Sequence, residues 1–310
     1  PVAAGVFAND LVLTSANGGN TTNSLTGTGA VVPVAAFSAL PTNGVVAFAV
    51  TFTDSSTGTI NTRAWNFGDG ATLTTNGTTV THTYTVAGSN TVRLIVTGPV
   101  GVSTNTQNNL IVGINPPHLT VTPGSLAFGP ITTGLSNALT LTVINTGDVT
   151  LTGTASAAAP YAITAGSPYT VLPHQTGTVT VVFSPVSAGS FNGTVDFTSN
   201  GGNLSVSVTG NGLTPGQIVI TPATADFGTI ATGTTSQRVF TVTNTGGTAV
   251  SNGVAAVTGG PYTIVAGNTF ALAGGGATNV VVQFAPVAAG GFTNSVLFTS
   301  ANGGSATNAL

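Results

Sequence analysis

Three arginines, Arg63, Arg93 and Arg238, six aspartates, Asp10, Asp54, Asp69, Asp148, Asp196 and Asp226, and three histidines, His82, His118 and His174, are all that this chain offers for acid, base or electrostatic chemistry. Lys, Glu, Cys and Met do not occur. Nucleophilic catalysis needs a base oriented by an acid within hydrogen-bond reach, and only the histidines can act as that base. His82 sits in the phrase THTY, His118 follows Pro116-Pro117, and His174 lies in the turn-like LPHQTG. Each reads as a strand, linker or turn residue. Glycoside hydrolysis needs two carboxylates held a few ångströms apart, and no two aspartates are close in sequence. Calcium wants several oxygen ligands with clustered carboxylates, for which Asp54 and Asp69 are the only candidates. Without cysteine there is no thiolate metal site and no disulfide framework, and without lysine no Lys–Asn cross-link. Three arginines cannot neutralise a phosphate backbone, which excludes nucleic acid as a partner. The expectation is a chain that is not an enzyme, with no catalytic, cofactor-binding or metal site and no cofactor.

The elements that would carry any such residues read as strands. In TVTVVF, Val179, Val181 and Phe183 share one face, and in NVVVQF, Val280, Val282 and Phe284 do the same 101 residues later. Period two is the strand period. Both runs stop at a proline, Pro185 and Pro286, which cannot donate to a ladder. Turn signals such as NTGD, SNGGN, NTGG and SANGG punctuate the chain at short intervals, and no amphipathic run of helical length occurs. With 41% hydrophobic and 3% charged residues, against about 25% charged in an ordinary soluble domain, the chain is too apolar to be disordered. No apolar run approaches the ~18 residues of a membrane span. Many short strands with regular turns make sandwiches or barrels.

Repeats draw the domain map. The phrase PVAAGVFANDLVLTSANGGNTTNSL at the start agrees at 16 of 25 positions with PVAAGGFTNSVLFTSANGGSATNAL at the end, and a third copy begins at Pro185. LTVTPGSLAFGPITTGLSNALTLTVINTG from Leu119 matches IVITPATADFGTIATGTTSQRVFTVTNTG from Ile218. Phe128-Gly129, Asn145-Thr146-Gly147 and Phe183, Pro185, Gly189 recur as Phe227-Gly228, Asn244-Thr245-Gly246 and Phe284, Pro286, Gly290. On these elements two modules, 114–214 and 215–310, resemble the Hydin and abnormal-spindle type of immunoglobulin-like domain, the second lacking the end of its last strand. Phe128, Tyr161, Phe183, Phe191 and Phe197, with Phe227, Tyr262, Phe284, Phe292 and Phe298, are the expected aromatic anchors. Between 33 and 113, FTDSSTG, WNFGDG, HTY and the AG-x-x-TV run resemble a PKD domain. That resemblance implies Trp65 as the buried aromatic of a sandwich, a hairpin turn at Asp69-Gly70, and an extracellular spacer or contact module. Asn66 stands where the family usually has Asp. Residues 1–32 match the last strands of a Hydin-like module. The expected architecture is all-β, tandem immunoglobulin-like β-sandwiches in an elongated array.

So few charges leave Thr, Ser, Asn and Gly, with Ala and Val, to cover the outward faces, and little repulsion to keep copies apart. Such a surface suits permanent assembly. The sequence therefore points to a structural block of an extracellular or cell-surface fibre, filament or stalk, self-associating or continuing head to tail, with surface glycans as a further partner class. Asn20, Asn76, Asn192 and Asn203 stand in glycosylation sequons, although several arise by chance in so Asn-rich a chain. The rival is an accessory binding or spacer region of a large secreted adhesin or carbohydrate-active enzyme, which an exposed aromatic platform would favour. The matching ends read as a window on a longer series, in which residues 1–32 complete a sandwich whose front half lies in preceding sequence or a preceding subunit. Simple exchange between identical subunits fits less well on sequence alone, because the last module already owns the strands that residues 1–25 would donate.

Overall fold

The structure is a computed structural model that describes residues 5–310; the first four residues of the expected 1–32 element lie outside the described residues. It is all-β, with 27 strands and no helix among the described residues. The residues cluster into two compact units, one of 1–118 with 145–151 and 172–175, the other of 119–144, 152–171 and 176–310.

The first two strands, β1 (Gly5–Leu13) and β2 (Thr21–Gly29), form a two-stranded antiparallel sheet of their own, in register from Gly5↔Gly29 to Leu13↔Thr21. Their side chains are exposed on both faces. Just beyond, Val31 exchanges hydrogen bonds with Thr59 and Val34 pairs with Thr57, so the chain is fastened before the next module begins.

That module comprises β3 (Phe37–Leu40), β4 (Asn43–Val45), β5 (Phe48–Asp54), β6 (Thr62–Asn66), β7 (Thr72–Thr75), β8 (Thr79–Tyr84), β9 (Gly88–Gly98) and β10 (Gly101–Ile114). A five-stranded sheet, β4-β10-β9-β6-β7, faces a three-stranded one, β3-β5-β8. Alternation places Val50, Phe52, Trp65, Val92, Leu94 and Val96 in one core, as the strand period demands. Trp65 is buried with Phe37 at 5.1 Å edge-on and Phe67 stacked at 6.3 Å. Asp69-Gly70 lies in the β6–β7 connection, a five-residue loop in which Phe67 donates to the Ala71 carbonyl.

The next sandwich has β11 (Leu119–Thr122), β12 (Ser125–Thr132), β13 (Asn137–Asn145), β14 (Leu151–Ala157), β15 (Tyr161–Ala165), β16 (Tyr169–Val171), β17 (Thr176–Phe183), β18 (Gly189–Ser199) and β19 (Leu204–Leu213). Its sheets run β11-β13-β17-β15 and β12-β19-β18-β14-β16. The last sandwich has β20 (Ile218–Thr221), β21 (Ser236–Asn244), β22 (Val250–Val257), β23 (Tyr262–Ala266), β24 (Thr269–Leu272), β25 (Ala277–Phe284), β26 (Ser295–Thr299) and β27 (Ser305–Ala309). Here the sheets run β20-β21-β25-β23 and β24-β22-β26-β27. The second differs from its counterpart at one edge. No strand stands where β12 stood, and β26 and β27 have five residues each where β18 and β19 have 11 and 10.

The aromatic anchors repeat in space. Phe183 packs on Tyr161 at 5.0 Å, Phe128 at 5.6 Å and Phe191 at 5.8 Å, and Phe284 packs on Tyr262 at 4.8 Å, Phe227 at 5.5 Å and Phe292 at 5.7 Å. Phe191 and Phe292 depart from the expectation of a sealed core, being only half buried. Their carbonyls accept from the Tyr161 and Tyr262 hydroxyls at 2.9 and 3.1 Å.

All three arginines lie on strands paired on both sides, Arg63 on β6, Arg93 on β9 and Arg238 on β21. A protease needs an extended, detached segment, so cleavage there requires local unfolding of a sandwich. Trypsin is therefore expected to leave the native chain intact on a gel over hours. Rapid appearance of fragments ending at these arginines would show that the interior strands open readily.

Candidate functional site

The ionisable groups are engaged in short local contacts. Asp54, buried at the end of β5, pairs with the Arg63 guanidinium and the Ser56 hydroxyl and accepts the Ser56 N–H at 2.9 Å. Burial works to raise its pKa, but the hydrogen bonds from Ser56 and Arg63 outweigh it and hold the carboxyl below its ordinary 3.8. Asp69 and the His82 ring lie 2.7 Å apart, while the ring stacks on Phe67 at 4.2 Å and meets Tyr84 edge-on at 4.9 Å. For Asp69 too, desolvation raises and the hydrogen bonds from His82 and Ala71 lower, with a lowered pKa as the net result. Burial pushes the Tyr84 phenol up, and the Asp69 charge adds to it; the hydroxyl donates to the Phe67 carbonyl at 2.9 Å.

Asp69 and His82 have the geometry of an orienting acid and a base, but the imidazole is sandwiched between rings and pins the β6–β7 loop onto β8. At the entry to the second sandwich, Asp148 accepts from the Asn115 backbone and side chain at 2.7 and 2.9 Å and lies 2.9 Å from His174. The Asn115 backbone hydrogen bond, with those from His174 and the Asn115 side chain, lowers its pKa. His118 touches Thr146 at 2.9 Å. Among the described residues no group of three or more His or Asp is placed to hold a metal ion. Asp54 and Asp69, the calcium candidates, each have their own partner, Arg63 and His82. The four sequon asparagines are exposed.

Two residues to which the sequence assigned no role tie the repeats together. Asn145 and Asn244 are fully buried. The Asn244 amide donates to the Thr248, Ala273 and Leu272 carbonyls at 2.8, 3.0 and 3.3 Å, and its oxygen accepts the Gln217 and Gly246 N–H groups at 3.1 and 3.0 Å. Asn145 repeats this with Val149, His118 and Gly147 at 2.8, 3.4 and 3.0 Å. One neutral amide thus joins the entering linker to the turn that follows the strand, and in Asn244 to the β24–β25 loop as well. Gly147 and Gly246 let the linker cross, since a Cβ on either would overlap the Pro116 or Pro215 carbonyl. The signal was an NTG recurring after an apolar alternating run, where a buried amide must find partners in the backbone.

The one large concavity of this set is a groove of about 790 Å³ on the last sandwich. Phe227, Ile230, Tyr262, Phe284, Phe292 and Leu310 line it. It opens between the segment 226–230 and the segment 290–294, neither of which forms a strand.

Family models match the chain in order. Residues 31–112 match the PKD domain, 116–206 the abnormal spindle-like microcephaly-associated ASPM-SPD-2-Hydin domain, and 216–310 the HYDIN/CFA65/VesB-like Ig-like domain. The chain is thus a PKD domain followed by two Hydin-type Ig-like domains. No curated protein matches it by sequence. Among solved structures it is similar to a Porphyromonas gingivalis protein of unknown function (14% identity, 62% of this chain and 98% of that one, TM-score 0.28). It is also similar to an I-band fragment of titin (11%, 89% and 96%, 0.36) and to the cadherin domains of protocadherin gamma B7 (11%, 89% and 71%, 0.45).

Two outcomes test these assignments. Asn244→Ala leaves buried backbone donors and carbonyls without partners and should destabilise the last sandwich by roughly 2–4 kcal/mol, read by calorimetry of the full chain; a change under about 0.5 kcal/mol would remove the node from the account. The lowered pKa values of Asp54 and Asp69 mean that their contribution is full above the unfolded value of 3.8 and is lost as pH falls through the folded values. Trp65 is the only tryptophan, so its fluorescence reports this module. The urea midpoint should hold steady between about pH 7 and 5 and fall below about pH 4, with Asp54→Asn flattening that acid limb.

Proposed function

We propose that this chain is a structural building block of an extracellular fibre, filament or stalk in which Ig-like modules follow one another head to tail. The observation that carries the reading is the hairpin β1–β2. Its pairing from Gly5↔Gly29 to Leu13↔Thr21 reproduces, position for position, that of β18–β19 from Gly189↔Gly212 to Phe197↔Leu204. It is the closing pair of an Ig-like sheet with no sandwich behind it. A two-stranded hairpin is marginal in water, so a continuing series is the setting in which this one is stable.

Supporting this, domains of these types are typically non-catalytic, and the ionisable groups are spent on local ties. PKD modules and the near absence of charge suit a place outside the cell, and no helix among the described residues is long and apolar enough to cross a membrane. The rival reading, an accessory binding region of a secreted adhesin or carbohydrate-active enzyme, calls for an exposed aromatic platform. Trp65, Tyr84, Tyr161, Tyr169 and Tyr262 are all buried, which takes away the residues on which a sugar would stack. Electron microscopy of the native material is expected to show filaments with a repeat set by these modules. Single, separate particles at every concentration would reject the fibre.

A further inference from the structure

The last sandwich has an open strand position, and the hairpin carries the sequence that fits it. In the second sandwich, Thr209 to Leu213 is zipped on both sides. Gly212 and Thr209 pair with Gly189 and Asn192 on β18, and Asn211, Gly212 and Leu213 pair with Pro130, Ile131 and Thr132 on β12. The equivalent flanks of the last sandwich are present, at 290–293 and 229–231, but no strand lies between them. The ladder closes with Thr224↔Ala309 and the Leu310–Asn294 hydrogen bonds, and beyond lies the groove of about 790 Å³.

Glycine is what the position requires. A Cβ on Gly210 would sit 2.5 Å from the Phe183 ring, and one on Gly212 would overlap the Ser187 carbonyl. The counterpart of Phe183 is Phe284, which lines the groove. Thr209-Gly-Asn-Gly-Leu213 has its match in Thr26-Gly-Thr-Gly-Ala30, with Gly27 and Gly29 on the two glycine positions.

The hairpin also lacks a cover. Phe7, Leu11, Leu13 and Leu25 are 47, 46, 51 and 54% exposed, whereas Val195, Phe197 and Val208, which stand at the positions of Leu11, Leu13 and Leu25, are 0, 1 and 0% exposed. Resting on the fibre reading, we propose that the hairpin of a second copy enters the last sandwich, seating Thr26–Ala30 in the open strand position and then displacing the resident hairpin 286–310.

Sequence alone speaks against exchange because the resident already owns its strands; the structure shows that it stops five residues short. The incoming hairpin agrees with it at 16 of 25 positions and offers Phe7, Leu11, Leu13 and Leu25 for Phe292, Val296, Phe298 and Leu310. Asn23 stands for Asn308, whose buried amide donates to the Pro222 carbonyl at 2.9 Å. Apolar surface uncovered on the evicted hairpin is thus matched by surface covered on the donor. The balance is left to the added strand, which pairs on both edges, as in β-strand addition and domain swapping. Entry at an open position followed by stepwise replacement avoids unfolding the resident first.

Gly27 separates the two states. In the free hairpin nothing lies within 4 Å of where its Cβ would be, so Gly27→Leu should fold as the wild type; seated in the groove, the same side chain would meet Phe284. Sedimentation velocity of the full-length wild type should show species larger than the monomer that grow with concentration. Those species should be lost in Gly27→Leu, and lost again when Thr-Gly-Thr-Gly-Ala-Val is appended after Leu310 to fill the position in cis. The appended chain should also melt at a higher temperature. Wild-type-like assembly by either variant overturns the exchange and leaves the fibre reading standing. A wild type that stays monomeric overturns the exchange as well, and overturns the fibre reading too if native material shows no filaments.

Discussion

Each Hydin-type sandwich closes where a phenylalanine lies against a glycine strand. Phe183 gathers Phe128, Tyr161 and Phe191 around it, and its ring reaches the facing sheet only because Gly210 has no side chain. Aromatic rings contribute the largest apolar area per residue, so the sandwich depends on their being sealed. Phe284 has the same three aromatic neighbours but faces an open groove instead of a glycine strand. The difference between the two copies is therefore a difference in strand pairing, with the core otherwise the same.

Scarcity of charge makes that pairing matter more. An ordinary domain surrounds its sheets with ionised residues that keep edges apart and mark surfaces. Here ion pairs are confined to Asp54–Arg63, Asp69–His82 and Asp148–His174. Buried polar junctions are entrusted to neutral amides, Asn145 and Asn244. A neutral amide both donates and accepts, and it avoids the desolvation cost that a buried ion pair carries. One such residue can hold the linker and the adjoining turn together. The repeats are built on hydrogen bonds whose strength is almost independent of salt, and on edges that carry little negative design against other strands.

How much of this was legible in the sequence varied with the range of the interaction. Alternation in TVTVVF and NVVVQF, the NTG and FG phrases, and the PKD phrases around Trp65 determined the all-β class, the order of the modules and most of the aromatic core. Those are local signals, since the face a strand residue occupies is decided by its immediate neighbours. Absence of a clustered His or Asp set was legible in the same way.

Only the tertiary structure decided the rest. Phe191 and Phe292 are half buried because what covers them is set by a strand arriving from elsewhere in the sheet. Asn145 and Asn244 became junctions through backbone groups about 27 residues away, on linkers that no periodicity identifies. The hairpin's kinship with β18–β19 was readable as repeated words, but its uncovered face and the open strand position beside Phe284 were not. The physical reason is that sequence records which face a side chain takes, whereas satisfaction of that face and of the strand edge belongs to segments distant along the chain.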